Sequence, residues 1–262
     1  MVSVGMLAAL FLIGAAGGGL SGLLGLGGAI VLVPMLLYIP PLIGVGALDM
    51  KAVSGITIIV VFASSLAGLS VQNKNKLVLK KLVVIMGVTA VVAAFIGAVY
   101  SNRSSSKTLL LIFAVMSAFA AVVMVLPNKE SDEDVILSDI KFSKPKAALI
   151  STILGFIGGM VGAPGAYIFT PLMIYLLKIP TKVAIGSTLG IAFVASISGA
   201  IGKLITGQVP YVMTAVVVIS SIPAARICAG FTKKIPAPVL RKALAVVITL
   251  ATVRMWMDVM GY

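Results

Sequence analysis

Two stretches of this chain carry the same unusual spacing of glycines. Residues 18–38 read GGLSGLLGLGGAIVLVPMLLY and residues 155–175 read GFIGGMVGAPGAYIFTPLMIY. Without gaps, Gly18, Gly22, Gly25, Gly28, Ala29, Pro34 and Tyr38 fall on Gly155, Gly159, Gly162, Gly165, Ala166, Pro171 and Tyr175. Glycine this dense inside apolar sequence predicts an interrupted helix, with the breaks at Gly25-Leu26-Gly27-Gly28 and Gly162-Ala163-Pro164-Gly165. A helix restarting after such a break presents unpaired N–H groups and about half a positive charge at its first turn. That is anion-binding chemistry. Pro164 suits a restart, because its missing N–H falls where a donor has no intrahelical partner. The competing reading is that the glycines only let helices approach closely. Two copies at matching places favour the cavity reading, which is a transporter signature.

The side chains around these breaks have one sign of chemistry. Ser21, Ser54, Thr57, Thr170, Ser187 and Thr188 are neutral hydroxyl donors in apolar segments. Each could equally bond the preceding turn of its own helix. The seven acids are Asp49, Glu130, Asp132, Glu133, Asp134, Asp139 and Asp258, and none falls in the middle of an apolar run. Cation pumps and exchangers keep intramembrane carboxylates, so their absence argues for an anionic cargo. Arg226 stands inside an apolar run and could clasp an oxyanion in a bidentate way, or snorkel to a nearby surface. Lys203 is the same case at the other side. With no histidine and one cysteine, Cys228, the chain offers no metal site, and no cofactor motif is present. Nor is there a nucleophile elbow or an embedded acid pair, so no enzyme activity is expected.

The elements that position these groups follow from composition. Of 262 residues 60% are hydrophobic and 10% charged, and the mean hydropathy is +1.21. A soluble domain carries roughly 25% charged residues, so this chain needs lipid as its solvent. The +13 net charge sits in short lysine clusters between apolar runs, as in cytoplasmic loops, which argues against nucleic-acid binding. Five apolar segments are expected in each half, at about 5–24, 27–39, 52–71, 79–100 and 108–126, then 147–161, 164–178, 184–206, 210–230 and 237–258. Residues 1–126 form one repeat and 147–262 the other, with a polar cytoplasmic linker over 127–146. Residues 1–19 lack a basic start and read as mature sequence, not a signal peptide. Trp256 and Tyr262 suit an interfacial belt.

Loop charge chooses the parity. An odd number of crossings per half puts fourteen lysines and arginines on one side and five on the other, the five including Lys51, Arg103 and Lys203. Four crossings per half would divide them nearly equally. The odd count makes the halves inverted repeats and places both termini outside the cell membrane. Ten full crossings and six crossings with two re-entrant pairs share this parity.

At these residues the sequence resembles the sulfite exporter TauE/SafE family of membrane permeases. The likeness rests on the Gly18–Pro34 pattern and its copy through Gly162, Gly165 and Pro171, and on Ala184-Ile185-Gly186-Ser187-Thr188. It implies transport of sulfite, thiosulfate, sulfoacetate or a related anion. The chain departs from the family pattern at Ala163-Pro164 and in its first half, which has Ser54-Gly55-Ile56-Thr57 instead of a Gly-Thr-Ser stretch.

The expectation is therefore an all-α, polytopic transmembrane bundle of two inverted repeats, each with a glycine-broken helix pair. It is a multi-pass secondary permease for a small inorganic or organic anion, in contact with membrane lipid and compatible with a homo-oligomer. The anion site would use Ser21, Gly25, Gly27, Gly28, Ser54, Thr57, Gly162, Pro164, Gly165, Ser187, Thr188 and Arg226. The rival classes are a non-transporting membrane scaffold or assembly factor, and an ion channel.

Overall fold

The computed structural model describes residues 3–24, 28–125, 140, 142–163 and 166–260. These form ten α-helices: α1 Val4–Leu24, α2 Ala29–Leu42, α3 Met50–Lys74, α4 Lys80–Tyr100, α5 Ser106–Val125, α6 Lys144–Val161, α7 Ala166–Tyr175, α8 Thr181–Ile205, α9 Tyr211–Ala229 and α10 Ala237–Val259. One 3-10 turn, Ser101–Arg103, follows α4. Among the described residues there is no strand. Lipid leaves backbone groups nothing to bond, so the helix, which satisfies them within one segment, is the element this composition selects.

Helices α1, α3, α4, α5, α8 and α9 are long and apolar enough to cross a membrane. The two helices that follow the glycine breaks are short. At about 1.5 Å per residue, the 14 residues of α2 reach about 21 Å and the 10 of α7 about 15 Å. Neither spans a hydrocarbon layer of about 30 Å. By contrast α1, with 21 residues, and α6, with 18, are nearly or fully long enough. Each pair is thus one long helix and one too short to cross. α4 exposes Val84, Val88, Val92, Phe95 and Val99, three or four residues apart, a stripe suited to lipid tails.

Small residues set the packing. Gly14, Gly18 and Gly22 of α1 lie against Val217, Ser221 and Ala225 of α9, so these two helices run parallel. Gly155 and Gly159 of α6 lie against Ala90 and Ala94 of α4, also in parallel. A Cβ on Gly22 would collide with the Ala225 backbone, and one on Gly159 with Ala94. Helices here touch backbone to backbone, which is where dispersion supplies attraction when lipid removes the hydrophobic term.

The centre is the crossing of α3 and α8. Ser54 faces Lys203, Ile58 faces Gly199 and Gly68 faces Leu189, so the two run antiparallel. Phe62 and Phe193 stack where they cross, ring centroids 5.5 Å apart. The neighbours of each half recur with the halves exchanged: α1 on α9 answers α6 on α4, and α3 on α9 answers α8 on α4.

The ends of α3 and α8 match in detail. Leu77 N donates to Gln72 O at 3.1 Å, and Gln208 N to Lys203 O at 3.0 Å. Lys76 at φ 57 and Gly207 at φ 68 hold the left-handed position between them. Both are Schellman caps, which satisfy the last carbonyls of a helix.

Candidate functional site

The first break ends α1 at Leu24 and restarts at Gly28, the N-cap of α2, with φ 77. Only glycine takes that conformation without strain. Gly28 lies against Gly17 O and against Ser21, whose hydroxyl is 3.2 Å from that of Ser64, the fifteenth residue of α3. In the second break α6 ends at Gly162, again with φ 77, and Ala163 N donates to Gly158 O at 2.8 Å. A Cβ on Gly162 would collide with Ser54, the fifth residue of α3. Gly25, Gly27, Pro164 and Gly165 lie outside the described residues.

The helices restart at similar depths. Thr170 of α7 donates to Thr188 of α8 at 3.1 Å. α7 runs opposite to α8 across a five-residue connection, so its first residue lies about 6 Å further toward the middle of α8. Ser64 puts the restart of α2 near the middle of α3. Both first turns therefore fall in the central part of the bundle, where their amides have no intrahelical acceptor.

The hydroxyls divide into two groups. Ser54 and Thr57 sit at one end of the α3–α8 crossing, and Ser187 and Thr188 at the other. With Gly68 facing Leu189, Thr57 and Thr188 are about twelve residues apart in level, or about 18 Å. One small oxyanion cannot touch both groups at once. Each is also in use: Thr57 bonds Val53 O and Ser54 O of its own helix, and Ser187 Oγ accepts from Leu79 N at 2.9 Å. Arg226 is exposed on α9, the placement that snorkelling predicts.

The sequence offers Lys203 both as a charge on the outer side and, like Arg226, as an oxyanion contact, and the structure draws it inside. It is wholly buried. Its ammonium donates to Ser101 Oγ at 2.7 Å, Ser54 Oγ at 2.8 Å, Met160 O at 2.9 Å and Gln208 Oε1 at 2.9 Å. All four partners are neutral, and they come from α3, α6, the 3-10 turn and the turn after α8. Among the described residues no carboxylate is buried. The signal available in sequence was the glycine pair Gly199 and Gly202, which lets α8 press against Ile58 and Ala98 and carries Lys203 inside.

A family model for the sulfite exporter TauE/SafE matches residues 10–255, spanning both breaks, the α3–α8 crossing and the Lys203 cluster. The chain belongs to the sulfite exporter TauE/SafE family. Over 256 residues, 92% of this chain and 94% of the relative, it is 22% identical to the probable membrane transporter protein YunE of Bacillus subtilis. It is 25% identical over 260 residues to a probable membrane transporter protein of Haemophilus influenzae, covering 94% and 96%. A third, from Methanocaldococcus jannaschii, is 27% identical over 208 residues, 79% of this chain and 76% of that one. No solved structure matches the chain. As a TauE/SafE member it is a multi-pass membrane transporter, and its ten helices supply the architecture for that role.

Proposed function

We propose that this transporter moves a small oxyanion, of the sulfite, thiosulfate or organosulfonate class, across the cell membrane. The observation that carries the reading is the sign of the buried charge: one ammonium and no carboxylate among the described residues. In a low-dielectric interior an isolated charge is costly, so a pathway tolerates cargo that cancels the charge it already holds. An anion is attracted to Lys203, and a cation is repelled. The first turns of α2 and α7 add neutral donors at the central level, and amides of that kind need no proton exchange to release their cargo.

The antiparallel run of α3 and α8 supports an inverted relation between the halves, because these helices hold the same place in the two repeats. Transport then follows from rocking one repeat against the other around the central crossing. The basic turns carrying Lys74, Lys76, Lys80 and Lys81, and Lys178 with Lys182, would face the cytoplasm, with both termini outside.

Purified protein in liposomes tests this. Labelled sulfite or thiosulfate should enter in a saturable way, competed by unlabelled oxyanions and unaffected by exchange of sodium for potassium. Uptake no greater than in empty liposomes, across a panel of oxyanions, would return the chain to the scaffold reading. Currents whose reversal follows the cation gradient would make it a channel instead.

A further inference from the structure

Among the described residues Lys203 is buried without a counter-charge, and burying an unpaired ammonium costs several kcal/mol. A protein needing only to tie these segments together could use a neutral amide there. The surroundings of the ammonium are specific. Gln208 Oε1 accepts from Lys203 Nζ at 2.9 Å and also lies 3.2 Å from Ser101 Oγ. One amide oxygen thus occupies the point on which a cation and a hydroxyl converge. That is where an oxygen of an anion would sit, held by charge-assisted hydrogen bonds.

The site is close to its surface. Gln208 follows the left-handed Gly207 in the turn after α8, the residue is 8% exposed, and its Nε2 is tied to Thr206 Oγ1 at 2.7 Å. Of the four partners of the ammonium Gln208 is the most exposed, so its side chain is the one whose rotation would open a way to it. Ser54 Oγ and Ser101 Oγ flank it, each now donating to a backbone carbonyl, Lys51 O at 2.8 Å and Ala98 O at 2.6 Å. Either hydroxyl can turn its proton to an incoming oxygen, since hydroxyl rotors carry little barrier. A second cation reaches the 3-10 turn that carries Ser101: Lys51 Nζ donates to Asn102 O at 3.0 Å. The charges facing this point from α3 and α8 are thus both positive.

We propose that Lys203, Ser54 and Ser101 form an oxyanion-binding site at this end of the α3–α8 crossing, with Gln208 as its removable cover. The amide oxygen of Gln208 holds the place of an anion oxygen when the site is empty. This rests on the reading of the chain as an anion transporter and adds where the cargo is held on one side of the membrane.

The test is anion-dependent thermal stabilisation of the purified protein, with sulfite and thiosulfate as probes, beside liposome uptake by the unmutated chain. Ligand at 100 times its dissociation constant adds about 2.7 kcal/mol, so a shift in melting temperature reports occupancy. Lys203→Met should lose the anion-induced shift while staying folded, and Lys203→Arg should keep it. Gln208→Met removes the competing acceptor without touching the charge, and should lower the anion concentration for half-maximal shift at least three-fold. A shift preserved in Lys203→Met overturns the site and leaves the transport reading intact. If Lys203→Met does not fold, an unchanged or weakened half-maximal concentration in Gln208→Met overturns it equally. Absence of both shift and uptake in the unmutated chain removes the transport reading itself.

Discussion

The two ends of the α3–α8 crossing are built alike in backbone and unlike in charge. Gln72 and Lys203 hold the same place, two residues before the end of a 25-residue helix whose carbonyl at that point closes a Schellman cap. Gly55 of α3 makes room for Gln208 O, and Gly186 of α8 makes room for Leu77 O. Yet Lys203 has four close acceptors, whereas among the described residues Gln72 reaches only Ala229 O, at 3.4 Å, and its Oε1 has no partner. A shared backbone plan fixes how the halves dock. The side chains then bury a closely bonded positive group at one end and a loosely bonded neutral amide at the other.

The largest effect that would break this comparison comes from making the ends alike. Gln72→Lys places an ammonium opposite a single carbonyl, and an uncompensated buried charge of this kind costs about 3–5 kcal/mol. The variant should melt far below the parent or fail to fold in detergent. An unchanged melt would mean that both ends accept a cation equally well, and that Lys203 is nothing special.

A smaller effect separates the two serines. Ser187 is the acceptor for the buried Leu79 N, so Ser187→Ala leaves that donor unsatisfied at a cost of about 1–3 kcal/mol. Ser54→Ala removes one of four acceptors around Lys203, and the three that remain match its three protons, so the loss should be under about 1 kcal/mol. Equal losses in chemical denaturation would show that the two hydroxyls serve alike.

A further small effect is in the caps. Lys76 pays for a left-handed backbone that Gly207 adopts freely, so Lys76→Gly should raise stability by about 1 kcal/mol. Gly207→Lys should lose a similar amount. Thermal melts of the pair check both signs, and no gain from Lys76→Gly would contradict the strain argument.

Much of the fold was legible. Hydropathy and the glycine repeat placed all ten helices among the described residues to within a few positions, because a lipid-soluble segment has one choice of secondary structure. The breaks were legible too, as Gly28 and Gly162 both take positive φ. The glycines were not all of one kind, however. Gly18, Gly22, Gly155 and Gly159 serve close helix packing, as the competing reading had it, and spacing alone could not sort them from the breaks.

The candidate site was less legible, because it depends on direction. Ser54, Thr57, Ser187 and Thr188 look like one set when two repeats are superposed in sequence. Running α3 and α8 antiparallel sends them to opposite ends. Lys203 was half legible for a related reason: a lysine two residues from a helix end fits a snorkelling charge as well as an anion contact, and only the neighbouring turns show that it is covered.

Counterflow in liposomes loaded with unlabelled sulfite tests the anion assignment most directly, since it needs no driving ion. Labelled sulfite added outside should accumulate transiently above its equilibrium level, and loading with a sodium salt or a potassium salt should make no difference. Folded protein that gives no such overshoot with sulfite, thiosulfate or an organosulfonate would contradict the claim that the positive interior exists to carry negative cargo.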